Sequence, residues 1–173
     1  NNEYLIVSCS SVAKRKRVDL IAQSIQILDL PVHWVHFGDG DQMPTLKKII
    51  NDFPPNIEVT LKGWVPNDKI MDFYKNNSID LFINLSKIEG IPVSIMEAIS
   101  FGIPVLATNI YGTPEIVNEK TGRLVSLDDN KDTISHEIYK LLKNYLSRVE
   151  IQKFWKHNYF AQSNYKSFID KYL

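Results

Sequence analysis

Residues 79 to 118 read IDLFINLSKIEGIPVSIMEAISFGIPVLATNIYGTPEIVN, and the punctuation of this stretch decides the fold. The run Ile79, Leu81, Phe82, Ile83, Leu85 is short, rich in β-formers and apolar on both parities, as a parallel strand covered on both faces requires. It ends at Ser86, where the chain turns polar. Pro92 then stands where a helix is expected to begin, because the first helical position needs no N–H and accepts φ near −65°. The spacing predicts a helix to about Phe101, with Gly102 as its stop. Ile103 to Ala107 opens a second strand, so the unit is a strand–helix–strand crossover of the parallel-sheet kind.

Two glutamates, Glu89 and Glu97, frame this crossover with seven residues between them. Glu89 lies in the loop beyond the carboxyl end of a strand, where open α/β sheets bind ligands. Glu97 lies in the second turn of the helix, roughly 7 to 8 Å along the axis from Pro92. Between them the amides of Val93, Ser94 and Ile95 are expected to be free at the helix start, a place that favours an anion. A carboxylate, an anion site and a second carboxylate in a row suit a sugar, a diphosphate and a ribose.

The motif Ser86, Glu89-Gly90-Ile91-Pro92-Val93, Glu97-Ala98, Gly102-Ile103-Pro104-Val105 and Gly112-Thr113-Pro114-Glu115-Ile116-Val117 resembles the signature of retaining nucleotide-sugar glycosyltransferases of the GT-B fold, family 4. The resemblance implies that Glu89 binds donor-sugar hydroxyls, that Gly90, Ile91, Pro92 and the amides of Val93 and Ser94 hold sugar and phosphate, and that Glu97 binds the ribose. Taken as spacing alone, two glutamates around a helix start are also compatible with ordinary solvated carboxylates.

The chain has 173 residues, 44% hydrophobic and 23% charged, which is the composition of one globular domain able to support its own core. It does not begin with Met, and it is expected to start at a linker cut from something longer. Basic and acidic side chains balance at 20 each, so there is no global electrostatic case for nucleic acid. One cysteine, Cys9, in an apolar strand excludes a disulfide scaffold, makes a poor nucleophile and fits a reducing compartment. No secretory signal and no apolar stretch of membrane-spanning length is visible. His33, His36, His136 and His157 are scattered without metal-site spacing and read as structural or surface residues.

Upstream, Tyr4 to Cys9 and Val32 to Phe37 read as strands, with a helix from Val18 to Leu28 between them. The basic run Lys14-Arg15-Lys16-Arg17 falls in the loop after the first strand, on the same edge as Glu89. In the resembled family an Arg and a Lys of this loop neutralise the donor diphosphate. Lys16 falls on the lysine, but Ser11 occupies the arginine position, leaving Lys14 or Arg15 to supply the second charge. Gly38-Asp39-Gly40 permits a tight turn near the nucleotide, by resemblance, before a helix from Met43 to Phe53. Ile57 to Leu61 is a third strand, and the turn Gly63-Trp64-Val65-Pro66 implies a base pocket with backbone around Val65 at the base edge. Trp64 is either a stacking wall or, as for most aromatics beside a strand end, core. Asn67 or Asp68 is a cap for a helix to Lys75.

Downstream, Tyr111-Gly112 replaces a frequent Gly-Gly turn, and Tyr111 either narrows the donor pocket or covers it. Glu115 matches a family glutamate or caps the following helix. Lys120 to Val125 enters a last strand, and Asp128 to Asn130 opens a helix carrying Ile134, Ile138, Leu141 and Leu142. The tail from Ser147 to Leu173 reads as helical, with Phe154, Trp155, Tyr159, Phe160, Tyr165, Phe168, Ile169 and Tyr172 on its apolar face.

The expected architecture is a Rossmann-like parallel α/β sheet of about six strands with helices on both faces, one domain over residues 1–173. The resemblance makes it the C-terminal, donor-binding half of a GT-B enzyme, with the tail from about residue 147 packing back towards an N-terminal acceptor half. It implies transfer of a sugar, with retention, from a nucleotide diphosphate sugar to a carbohydrate or lipid-linked acceptor in capsule, lipopolysaccharide or glycoconjugate synthesis. Glu89 and Lys16 are the catalytic candidates, and Glu97, Gly90, Ile91, Pro92, Val93, Ser94, Gly40, Val65, Ser11 and Arg15 the donor-binding ones. No cofactor and no metal are implied, the location is cytoplasmic, at the inner face of the membrane, and membrane contact would run through the N-terminal half. This half alone is expected to bind nucleotide weakly and transfer nothing. Two rivals share the architecture: a nucleotide-sugar epimerase and a non-catalytic nucleotide-sugar-binding domain.

Overall fold

The computed structural model describes residues 3–144 and 146–160. Strands and helices alternate: β1 Tyr4–Cys9, α1 Val18–Gln26, β2 Val32–Phe37, α2 Met43–Ile50, β3 Ile57–Leu61, α3 Asn67–Asn76 and β4 Leu81–Asn84. There follow α4 Val93–Ser100, β5 Val105–Thr108, α5 Thr113–Ile116, β6 Gly122–Val125, α6 Lys131–Lys143 and α7 Arg148–Tyr159. The six strands form one sheet in the order β3-β2-β1-β4-β5-β6, and every neighbouring pair is parallel. The chain therefore winds outward from β1 to β3, then returns to lay β4 on the other side of β1. The crevice between the carboxyl ends of β1 and β4 is the topological switch point, where such sheets take their ligands.

The inner strands β1, β2, β4 and β5 bury both faces, which is why their apolar residues occupy both parities, whereas the edge strands β3 and β6 expose Glu58 and Arg123. On one side Ile6, Trp34, Leu81, Ile83 and Leu106 pack with residues of α1, α2 and α6. On the other, Val7, Val35, Phe37, Phe82 and Val105 pack with Ile70 and Tyr74 of α3, Ile95 and Ile99 of α4, and Ile151 of α7. Tyr74 stands edge-on to Phe82 and Phe101, with ring centroids at 6.3 and 5.8 Å.

Several expectations shift by a residue or a role. Pro92 is the cap residue of α4 (φ −73°, ψ 113°), not its first helical residue, and the helix stops at Ser100 with Gly102 at φ +73°. A Cβ on Gly102 would lie 2.4 Å from the Arg148 carbonyl, so this glycine lets α7 begin directly against the end of α4. Pro66, not Asn67 or Asp68, caps α3, without a side-chain hydrogen bond. Asn130 does cap α6, accepting from the amides of Asp132 and Thr133 at 3.0 Å. Glu115 makes no cap, since α5 has no side-chain cap bond and the residue sits inside the helix.

The tail is helical over α7, capped by Ser147. Phe154, Trp155 and Tyr159 are half-buried and Phe160 is exposed, whereas Tyr165, Phe168, Ile169 and Tyr172 lie outside the described residues. Among the described residues no helix is long and apolar enough to cross a membrane.

Candidate functional site

The two loops at the switch point are joined by three successive contacts. After β1 the chain makes a 3-10 turn, Lys14–Lys16, and then Arg17 enters α1 in the left-handed conformation at φ +51°. The Lys16 ammonium pairs with the Glu89 carboxylate in the loop after β4, and each side chain is only 14% exposed. One residue back, the Lys87 amide donates to the Arg15 carbonyl at 2.8 Å. One residue on, the buried Arg17 Nε donates to the Leu85 carbonyl at 2.6 Å. Its guanidinium continues to the Leu127 carbonyl at 2.8 Å and to Thr108 Oγ1 at 3.1 Å. One side chain thus ties together the carboxyl ends of β4, β5 and β6, which explains why a non-glycine residue tolerates a positive φ there.

Glu89 sits in a balance of opposing influences. Burial works against its charge, but Lys16 outweighs it together with the nearby Ser86 hydroxyl and Asn84 amide, so the carboxyl is held below the usual carboxylate range. Asn84, at the end of β4, donates to Glu89 at 3.4 Å while its amide oxygen accepts from the Ser86 N–H at 3.0 Å. Beside this pair, α4 presents its N-terminus. The Ile95 amide, expected free, bonds to the Pro92 carbonyl at 3.1 Å. Among the described residues the amides of Val93 and Ser94 have no backbone acceptor.

A second part of the site lies towards β2 and β3. A cleft of about 260 Å³ is lined by Cys9, Ser10, Ser11, Gly38, Trp64 and Val65, among others. Trp64 is 79% exposed, which overturns the core reading and leaves its ring on the rim. Glu97 is half-buried, and the Asn67 amide donates to its Oε1 at 2.8 Å. Burial pushes the Cys9 thiol up to about 11, with the Glu97 charge adding and Lys16 opposing, so Cys9 lies within the field of both groups and is inert as a nucleophile.

The sequence candidates divide accordingly. Lys16 and Glu89 meet, and Val65 and Ser11 line one cleft. Lys14 and Arg15 are both exposed at the edge of this loop, and the Arg15 carbonyl accepts from the Lys87 amide. Gly40 is a packing requirement: a Cβ there would lie 2.4 Å from the Val12 carbonyl. Ile91 and Val93 are exposed, Pro92 is buried, and Gly90 stands in open space. Tyr111 is 74% exposed and adopts φ +41°.

His36 is wholly buried beneath the site. Ser8 Oγ accepts from Trp34 Nε1 at 2.9 Å and is hydrogen-bonded to His36 Nδ1 at 2.8 Å, the ring tautomer setting which of these two donates. Burial lowers the ring's pKa to about 4, opposed by the Ser10 backbone. His33 contacts Thr60 on the sheet, and His136 and His157 are exposed. Among the described residues no group of three or more His, Cys, Asp or Glu side chains converges as metal ligands do.

Sequence reasoning missed Arg17, Asn67 and Asn84. Arg17 reads as one more member of a basic run and Asn67 as a cap. Asn84, polar at the end of an otherwise apolar strand, was the one visible signal.

Residues 1–158 match the family model described as glycosyl transferases group 1. The chain belongs to this family. Among its relatives is an O-antigen biosynthesis glycosyltransferase, WbnH of Escherichia coli, 30% identical over 144 residues, which are 83% of this chain and 39% of the relative. The sulfoquinovosyl transferase SQD2 of Arabidopsis thaliana is 28% identical over 76% of this chain and 25% of its own length. The chain thus spans well under half the length of these curated relatives. The fold of this glycosyltransferase-family chain is also that of solved proteins. A lipopolysaccharide outer core galactosyltransferase, WaaB, matches with a TM-score of 0.82 at 16% identity, over 98% of this chain and half of its own. HepE of Anabaena, solved with UDP, matches with a TM-score of 0.73 at 16% identity, over 99% of this chain and 50% of its own.

Proposed function

We propose that this chain is the donor-binding half of a retaining glycosyltransferase that moves a sugar from a nucleoside diphosphate sugar to a carbohydrate or lipid-linked acceptor during glycan synthesis. The observation that carries the reading is the Lys16–Glu89 pair at the switch point, with the open amides of α4 beside it and Glu97 one cleft away. The charge on a departing diphosphate grows as the glycosidic bond breaks. Lys16 and the Val93 and Ser94 amides are the groups that can meet it, doing the work a cation does elsewhere. Glu89 orients the sugar through its hydroxyls, and Glu97 takes the ribose diol. HepE, which shares the fold, was solved with UDP, and that supports a nucleotide donor.

The acceptor and the opposing wall of the site belong to a second, N-terminal half, which is the partner this half requires. By itself it binds nucleotide weakly and transfers nothing. The reaction takes place in the cytoplasm, and any membrane contact is made by that other half.

Calorimetric titration of the chain with UDP, GDP and their sugar derivatives, beside Glu97→Ala, tests the reading. Saturable binding of one nucleotide, weakened roughly tenfold to a hundredfold in the variant by loss of charged hydrogen bonds, is the expected result. No binding at millimolar concentration, or equal binding by the variant, overturns it.

A further inference from the structure

Glu97 does not stand alone. Its Oε1 accepts from Nδ2 of Asn67, the first residue of α3, at 2.8 Å. Asn67 follows directly on the turn whose Trp64 and Val65 line the 260 Å³ cleft. An amide nitrogen facing a carboxylate is the only orientation that avoids two oxygens in contact. Asn67 therefore takes one lone-pair direction of one carboxylate oxygen, and both oxygens keep lone pairs that can accept from a ligand.

A glutamate on the surface of a helix has three side-chain torsions to order before it can bind. A vicinal diol needs the carboxylate plane held in one orientation, because its two hydroxyls reach both oxygens only together. A partner that fixes the plane beforehand removes that ordering cost from the binding step. Asn67 also fixes the distance between the cleft's turn and the carboxylate, since both depend on the start of α3.

We propose that Asn67 is a positioning residue for ribose recognition: it orients Glu97 so that the site distinguishes a nucleotide with both ribose hydroxyls from one without them. The inference rests on the reading of Glu97 as the ribose-binding carboxylate given above. It adds a second residue, from a different helix, to that task. Asn67 touches no substrate itself.

The experiment compares UDP and GDP with their 2′,3′-dideoxy counterparts on the intact chain, by competition titration, in wild type, Glu97→Ala, Asn67→Ala and Asn67→Asp. The expected result is a preference for the ribonucleotide in wild type that Glu97→Ala abolishes and Asn67→Ala cuts about fivefold, the equivalent of the ordering cost of one immobilised side chain. Asn67→Asp puts a second carboxylate against Glu97 and loses the preference at least as fully. An acidic residue at the first position of α3 suits the helix start, and far-UV circular dichroism of both Asn67 variants checks that the fold is kept. A merely structural role for Asn67 would weaken both nucleotides alike and leave their ratio unchanged, which overturns the inference. If Glu97→Ala loses the preference and both Asn67 variants keep it, the inference fails while the ribose reading stands. Absence of any preference in wild type, or of any nucleotide binding, overturns both.

Discussion

The junction between β1 and β4 and the rim near β2 and β3 each hold one glutamate, and they hold it in opposite ways. Glu89 is enclosed, paired with Lys16, and carried on a loop bonded through its backbone to the loop opposite. Glu97 rides on a helix and is held by one exposed side-chain contact, with the open Trp64 nearby. The comparison teaches that position in this sheet sets the means of preorganisation. At the switch point, residues can lean on backbone from three strands, whereas at the rim a side chain must supply the restraint.

Four measurements break or sharpen that contrast, and the largest effect belongs to Arg17. Replacing it with Ala removes three hydrogen bonds and leaves the carbonyls of Leu85 and Leu127 without that donor. Urea denaturation is expected to show a loss of about 3 kcal/mol, at the high end for a single substitution. A loss under 1 kcal/mol would mean the junction is not stiffened by this clamp.

Next comes Lys16→Ala, expected to cost about 2 kcal/mol at neutral pH because it leaves a half-enclosed carboxylate uncompensated. Glu89 has its pKa lowered by folding, so its stabilising contribution is present above the unfolded carboxylate value and is lost as pH falls through the folded one. The difference between wild type and variant should therefore close in acid. A gap that persists at low pH would show that packing of the lysine stem, and not charge, is what was removed.

A third effect is that of His36, whose ring stays neutral in the fold to about pH 4. The unfolded chain binds that proton near pH 6.5, so stability should fall as pH drops below that value, by roughly 1 kcal/mol between about pH 6.5 and 5.5 from this group. An NMR titration of the ring checks it, and a midpoint near 6.5 would contradict the burial argument. Smallest of all, Trp64→Ala should change stability by less than about 0.5 kcal/mol, because the ring is 79% exposed. A loss above 1 kcal/mol would place the ring in packing contact and undo the contrast.

Much of the frame was legible in the residues. Tyr4 to Cys9, Val32 to Phe37 and Ile57 to Leu61 are strands at the expected ends, because short apolar runs bounded by turns are local signals. That Lys16 and Glu89 share one edge of the sheet followed from both lying at carboxyl ends of strands; that they pair with each other did not. The partners of Arg17 did not, since Leu85, Thr108 and Leu127 are 68, 91 and 110 residues away and no periodicity encodes them. Asn67 has the composition of a cap and does another task, as Pro66 already shapes the helix start and frees the amide for Glu97. Trp64 resisted reading because exposure at a strand end depends on what the turn faces, a tertiary matter.

The bond from the Lys87 amide to the Arg15 carbonyl has a consequence for how the molecule exchanges with solvent. Lys87 is an exposed loop residue, yet its amide hydrogen can be replaced by deuterium only when the β1 and β4 loops part. Its exchange rate therefore reports the opening of the Lys16–Glu89 junction directly, from a position that no ligand contact needs to touch.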